Sequence, residues 1–259
     1  MAHKEPPSHS PAARRAARAP GKAPSAPSIQ AIPWTATGDD ASRVRQLLNR
    51  REQRELANIA SVVDLRRNAG PLFVAGDKAG YLYSVDLGIV RILKESFAGE
   101  RQVLAFMFPG DLLGLAEAGR YANSAEAVTN CRLYRYPLKE LEQLLTRDPL
   151  LDLHLLVKAS HELRAAQRIL SVIARQDVCD RLVCFLALLM RHESLYDRKS
   201  RRLVIPMTRF DIADYLATAP ETLARCFGRL EQQGRIRRIE SRLIEMVDTA
   251  FISGFDNAL

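Results

Sequence analysis

The hydrophobic period of this chain changes along its length. A chain that alternates at two residues in one part and at 3.6 in another must divide its core between strands and helices. In the stretch PLFVAGDKAGYLYSVDLGIVRILKESFAGERQVLAFMFPGDLLGL, apolar residues alternate or run in short pieces between Gly76, Gly80, Gly88, Gly99 and Gly110. Short strands separated by glycine turns predict a β-roll, barrel or sandwich that closes near Tyr136. Tyr81, Tyr83, Val85 and Leu87 make one face of it, and Leu104, Phe106 and Phe108 another. A helical pattern precedes the strands from about Ser42 (SRVRQLLNRREQRELANIA), and after Pro137 the period is helical again.

Between Asp148 and Arg175, the residues Leu156, Ala159, Leu163, Ala166, Leu170 and Ile173 recur at intervals of three and four. This is a heptad seam with alternating large and small knobs, and it predicts a parallel contact with a second copy of the helix. A helix packed only on its own β unit would carry an apolar stripe too. His154 and His161 lie opposite the seam, two turns apart, too far to chelate one ion together. They are expected to be solvated or hydrogen-bonded.

Asp177 is placed to cap a helix, VCDRLVCFLALLMRH, whose apolar face takes in Cys179 or Cys184. RRLVIPMT reads as a strand. Thr208 with Asp211 three residues on resembles a capping box for a helix from about Arg209 to Ala217, and Pro220 suits the first position of the next. Ile212, Ala213 and Leu216, with Leu223, Phe227 and Leu230, form two apolar stripes that pack as a helix-turn-helix. Glu221, Ala224 and Arg225 then share the outer face of the second helix's N-terminal half, the part that reaches base edges in the major groove of duplex DNA. An arginine donates twice to guanine O6 and N7, a carboxylate accepts from cytosine N4, and at i, i+4 the carboxylate also holds the guanidinium. Arg201, Arg202, Arg209 and the basic hairpin GRIRRIESRLIEMV, read as a wing, surround the pair. Cys226 follows Arg225 on the edge of the apolar stripe. It is either a small core residue or a redox-active thiol, activated by the helix N-terminus and the arginines, whose oxidation would weaken DNA binding.

Charge and composition agree with a polyanionic partner: 38 Lys and Arg against 30 Asp and Glu leave a net charge of +8. No apolar run approaches the ~20 residues of a membrane span, so the chain is expected in solution. Cys131, Cys179, Cys184 and Cys226 include no CxxC pair and no histidine grouping of zinc type, which predicts a reduced cytoplasmic protein without a metal site. No acid–base pair, nucleophile triad or metal cluster supports an enzyme. Residues 1–38, rich in Pro, Ala, Ser and basic residues, predict a disordered tail. Its prolines, and its lack of an apolar core, argue against a targeting peptide.

The order of β-roll, long helix and winged helix-turn-helix resembles the Crp/Fnr family of bacterial transcription regulators, from about Val44 to Val247. The segments that carry the resemblance are GDKAGYLYSVDLGIVRIL, FPGDLLGL, RLVCFLALL and MTRFDIADYLATAPETLARCFGRLEQQGRI, with DIADYL most like the Fnr and FixK branch. It implies an α+β protein: a cyclic-nucleotide-binding-like β-roll at 39–147, a dimerisation helix at 148–176 and a winged helix-turn-helix at 177–259. It further implies a homodimer on a palindromic double-stranded DNA operator with TGA-like half-sites. Glu221, Ala224 and Arg225 would read bases, Thr208, Arg209 and Thr222 would hold phosphates, and RNA polymerase would be a further partner.

The departures from the family pattern are as informative. Where cyclic-nucleotide binders carry Gly-Glu and Arg-Ser, this chain has Gly114-Leu115 and Asn123-Ser124. A buried phosphate without that arginine would cost several kcal/mol as an unpaired charge. Fnr proteins hold an iron–sulfur cluster on cysteines near the N-terminus, and this chain has none before Cys131. The family's turn Gly and capping Ser or Thr become Ala217 and Ala219, a cap loss of ~1 kcal/mol partly offset by Pro220, and the Ser before the arginine becomes Ala224. The chain is therefore read as a FixK-like regulator with no bound cofactor. The alternative is a sensor-regulator gated by a small molecule or heme.

Overall fold

The computed structural model describes residues 26–31, 45–95, 101–175 and 177–253. They fall into two compact units, one ending at Leu155 and one beginning at Leu156. The division lies inside the long helix because its first turns belong to the first unit, where Leu151 is buried in a cluster with Tyr136 and Leu141.

The first unit opens with a ribbon of β1 (Gln30–Ala31) on β2 (Arg45–Gln46). Ile29 and Ala31 are buried, and the Ile29 N–H donates to Gln46 Oε1 at 2.9 Å. Residues 29–31 are thus packed, which corrects the expected disorder for that part of 1–38; residues 1–25 and 32–44 lie outside the described residues. Helix α1 (Arg50–Ile59) starts at Arg50 rather than near Ser42 because Asn49 caps it. Asn49 Oδ1 accepts from the Glu52 N–H at 3.0 Å, and Glu52 Oε2 accepts from the Asn49 N–H at 2.8 Å.

There follow β3 (Ser61–Leu65), β4 (Pro71–Phe73), β5 (Tyr81–Leu87), β6 (Val90–Glu95), β7 (Arg101–Met107), β8 (Leu112–Leu113), β9 (Ala116–Glu117), β10 (Arg120–Tyr121), β11 (Ser124–Ala127), β12 (Cys131–Pro137) and α2 (Leu138–Arg147). Two four-stranded antiparallel sheets, β4-β11-β6-β7 and β3-β12-β5-β8, enclose a core that includes Phe73, Tyr83, Val85, Met107 and Leu133. Tyr83 and Val85 enter it as the period predicts, but Leu87, at the strand end, is 53% exposed. Leu82 is buried as well, because the other side of β5 is covered by a cluster with Leu56, Tyr136 and Leu141. On β7 the expected face of Leu104, Phe106 and Phe108 is broken. Val103 pairs with Leu93 and Ala105 with Ile92, so Leu104 bulges out to solvent while Met107 lines the core.

Helix α3 (Pro149–Arg175) is continuous over 27 residues. Leu156, Leu163 and Leu170 are 57%, 61% and 67% exposed, Ala159 and Ala166 are exposed, and Ile173 is half-buried. His154 Nδ1 donates to Glu52 Oε2 at 3.1 Å, a hydrogen-bonded histidine of the expected kind.

The second unit is built on α4 (Val178–Met190), whose cap Asp177 accepts from the Asp180 N–H at 2.9 Å. Leu182, Val183, Phe185, Leu186 and Leu189 are all buried, so α4 is apolar nearly all round, as a central helix must be. Next come β13 (Tyr196–Asp197), β14 (Arg202–Val204), α5 (Arg209–Tyr215), α6 (Pro220–Gln232), β15 (Ile236–Glu240), β16 (Leu243–Met246) and α7 (Ala250–Ser253). The strands form one sheet, β13-β14-β16-β15, with β15 and β16 as the wing hairpin. Helix α5 stops at Tyr215 rather than Ala217, because Ala217 turns the chain with a left-handed φ of 50°. Among the described residues no helix is long and apolar enough to cross a membrane.

Candidate nucleic-acid interface

Helix α5 is held at its start by the expected box: Thr208 Oγ1 accepts from the Asp211 N–H at 3.0 Å, and Asp211 Oδ2 accepts from the Thr208 N–H at 3.2 Å. The Thr208 hydroxyl proton stays available for an outside acceptor. Helix α6 has no side-chain cap at Ala219 and begins on Pro220, whose missing N–H removes one orphan donor. It packs on α4 and α5. Leu223, Cys226, Phe227 and Leu230 are buried on its inner face. That register turns Glu221, Ala224 and Arg225 outward, all three exposed on one surface.

Arg225 is oriented differently from expectation. Its Nη2 donates to Thr222 Oγ1 at 3.3 Å, so a hydroxyl one turn back, rather than the Glu221 carboxylate, steadies the guanidinium. An exposed carboxylate gains little by pairing when water competes for it. Thr222 is therefore first a support for Arg225, with its own hydroxyl proton left for another acceptor.

Arg209 also departs from a simple phosphate contact. It is half-buried, with its guanidinium 3.8 Å over the ring centroid of Phe227. Burial, with the nearby Arg238 charge, lowers its proton affinity below that of an ordinary arginine. Its stack ties α5 to α6. In the wing, Arg238 Nε pairs with Glu231 at 2.9 Å, and Arg237 pairs with Glu245. Arg229 and Arg242 are exposed and have no ion-pair partner among the described residues. Arg242 belongs to the basic hairpin expected as a wing, whereas Arg229 was not singled out in the sequence. Arg229 stands four residues beyond Arg225, the helical interval that would have marked it, and Arg242 sits in the wing turn.

Cys226 is corrected. Its sulfur faces inward and is bonded to Cys179 in the first turn of α4, with Cα atoms 5.0 Å apart. It is not a lone thiol beside the phosphates, and the chain does not hold four free cysteines; Cys131 and Cys184 are free and buried. A separation of 47 residues hides the pair from any local spacing rule.

Three buried aromatic rings pack together among the aliphatic side chains of the β-roll core. Phe73 stacks on Tyr121 at 4.1 Å and on Tyr83 at 5.5 Å between centroids. The Tyr121 hydroxyl donates to the Tyr81 carbonyl at 3.1 Å and accepts from the Tyr81 N–H at 3.2 Å. Gly114, at φ 89°, lets the chain pass so close that a Cβ there would lie 3.0 Å from the Tyr83 ring. The β9–β10 hairpin is laced to the turn before β5, with Gly76 N–H donating to Tyr121 O at 2.8 Å and Ala79 N–H to Gly119 O at 2.9 Å. Leu115, where the family has Glu, is 65% exposed; Asn123, where it has Arg, is half-buried; and the retained Ser124 accepts from the Ala75 N–H at 2.9 Å through its Oγ. Among the described residues no three His, Cys, Asp or Glu side chains converge as metal ligands would.

Comparison with known proteins follows the same two units. Residues 68–148 match the cyclic nucleotide-binding domain family, and residues 180–251 match the Crp-like helix-turn-helix domain family. The nitrogen fixation regulation protein FixK of Azorhizobium caulinodans is 35% identical over 68% of this chain and 71% of its own length. The anaerobic regulatory protein of Pasteurella multocida is 29% identical over 78% of this chain and 74% of its own. The structure of FixK2 from Bradyrhizobium japonicum superposes with a TM-score of 0.69 at 27% identity, covering 76% of this chain and 96% of that one.

Proposed function

We propose, because this chain belongs to the Crp/Fnr family of DNA-binding transcription regulators, that it works as a homodimer on an inverted-repeat operator whose half-sites carry a TGA-like core. The observation that carries this is the outer face of α6, where Glu221, Ala224 and Arg225 stand clear of the packed side and Thr222 steadies Arg225. Arg225 reads guanine with two donors, Glu221 accepts from cytosine, and the Ala224 methyl meets thymine. Thr208, Thr222 and the exposed Arg229 and Arg242 take phosphates, with Arg209 chiefly holding α5 and α6 together.

The exposed leucine stripe on α3 supports the dimer. Three leucines more than half exposed on one helix face are an unfavourable surface for a lone chain. Residues 148–176 serve as the dimerisation segment, 39–147 as a roll that meets RNA polymerase, and 177–259 as the DNA-binding part, all in the cytoplasm. The stack of Phe73 on Tyr83 and Tyr121 within the packed core of the roll supports a FixK-like regulator without a bound cofactor over a ligand-gated one.

The test is binding-site selection from random duplexes with wild type and Arg225→Ala. The variant should lose ~1–3 kcal/mol per half-site and relax preference at one symmetric base pair. An unchanged base preference would remove Arg225 from the readout.

A further inference from the structure

Four cysteines meet two fates in this chain. Cys131 and Cys184 are buried and free, and burial pushes their thiols up, Cys184 to about 11. They hold their protons at neutral pH, and neither is bonded to a second cysteine. Cys179 and Cys226 instead bond to each other across α4 and α6. The bond crosses the helix pair behind the base-reading surface, one residue after Arg225. Cytoplasmic disulfides are as a rule transient and redox-sensing rather than permanent.

We propose that Cys179 and Cys226 are a reversible dithiol–disulfide couple, an oxidation site for hydroperoxides that clamps the recognition helix α6 to α4. Cys179 is the more accessible of the two, 8% exposed against 4%, and it lies in the first turn of α4, so it is the sulfur that a peroxide meets first. In the forward direction the Cys179 thiolate attacks a peroxide oxygen. The O–O bond breaks, an alcohol or water leaves after taking a proton, and Cys179 becomes a sulfenic acid. The Cys226 sulfur then attacks the Cys179 sulfur, the S–S bond forms, and water leaves. Two thiols have lost two electrons and the peroxide has gained them. In reverse, a small thiol such as glutathione attacks the disulfide to give a mixed disulfide, and a second glutathione releases both protein thiols and glutathione disulfide.

The coupling to readout is geometric. Bonded sulfurs lie about 2.05 Å apart, whereas unbonded ones must stand off by van der Waals contact, on the order of 3.5–4 Å. The reduced pair therefore spreads or rotates α6 on α4 at the residue beside Arg225. Helix shifts of ~1–2 Å are a common currency of such switches. Oxidation holds α6 in the position described here, and reduction loosens it.

The experiment uses the full chain in two forms, treated with hydrogen peroxide or with reduced glutathione. Mass mapping should find a joined Cys179–Cys226 peptide, two hydrogens lighter than its parts, only after peroxide, with Cys131 and Cys184 free in both forms. Closing a loop of 47 residues should raise the melting temperature of the oxidised form by about 10 °C. Cys179→Ser and Cys226→Ala should each abolish the joined peptide and the peroxide-dependent melting shift. Failure of the link to form, its persistence in glutathione, or identical melting of the two forms overturns the couple. The DNA arm rests on the proposed base-reading surface: operator affinity should fall about fivefold on reduction. Equal affinity in both forms overturns the coupling to readout, whereas absence of operator binding in both forms counts against the base-reading assignment and leaves the mass and melting results to judge the couple.

Discussion

At the scale of single residues, the helix-turn-helix carries one strained position. Ala217 adopts φ 50° in the turn after α5, a conformation that costs an L-residue with a Cβ roughly 1–2 kcal/mol. The bonds around it hold the turn: Ala217 N–H donates to Asp214 O at 3.0 Å and Thr218 N–H to Ala213 O at 2.9 Å. Glycine removes the clash but costs some backbone entropy. Ala217→Gly should therefore stabilise the protein by about 1 kcal/mol, read as a higher urea midpoint with an unchanged slope. A lower midpoint would mean that the turn is not strained. Arg209 makes the opposite case, because its aromatic stack on Phe227 links the two helices. Arg209→Ala should lower stability by ~0.5–2 kcal/mol and weaken operator and random DNA alike. A variant with wild-type melting but poor DNA affinity would assign Arg209 to phosphate contact alone.

At the scale of elements, α3 has a face to cover. Replacing Leu163 by Glu sets like charges against each other across the proposed seam and should give monomers in sedimentation at micromolar concentration. A persistent dimer would show that the stripe belongs to another contact. The exposed apolar stripe of α3 was legible because a heptad is a local pattern, and so were the capping box of α5 and the proline start of α6. The β7 bulge was not legible, since one extra residue on a strand is settled by its partner's register, Leu93 with Val103 and Ile92 with Ala105. The burial of Leu82 escaped for a related reason: the period of β5 shows a two-sided strand, but only the tertiary fold brings α1 and α2 over its second face. Within the interface, the outward register of Glu221, Ala224 and Arg225 followed from the inner stripe of Leu223, Phe227 and Leu230. The partner of Arg225 did not, because Thr222 and Glu221 both lie within a turn of it and only the rotamer decides. The Cys179–Cys226 bond lay beyond any local rule.

At the scale of the whole molecule, association with a polyanion should report how many cations each subunit places on phosphates. For duplex DNA, log K falls with log salt by about 0.9 per phosphate neutralised. The 38 Lys and Arg overstate the cations free for phosphates, because ion pairs within the fold already hold some of them: Arg237 is neutralised by Glu245 and Arg238 by Glu231. Arg242 in the wing turn is exposed and has no such partner among the described residues. Arg242→Ala should therefore flatten the salt slope by about 0.9 in each half-site, about 1.8 for a dimer on its full operator. Arg237→Ala should leave the slope near the wild-type value, since it removes a charge already held internally. Leu163→Glu should bring the slope to about half, because a monomer covers one half-site. Anisotropy titrations of labelled operator from about 50 to 200 mM salt would measure all three. If Arg242→Ala keeps the full slope, the wing does not touch the backbone. If Leu163→Glu sediments as a monomer and still keeps it, one subunit carries every contact, and the inverted repeat is not the site.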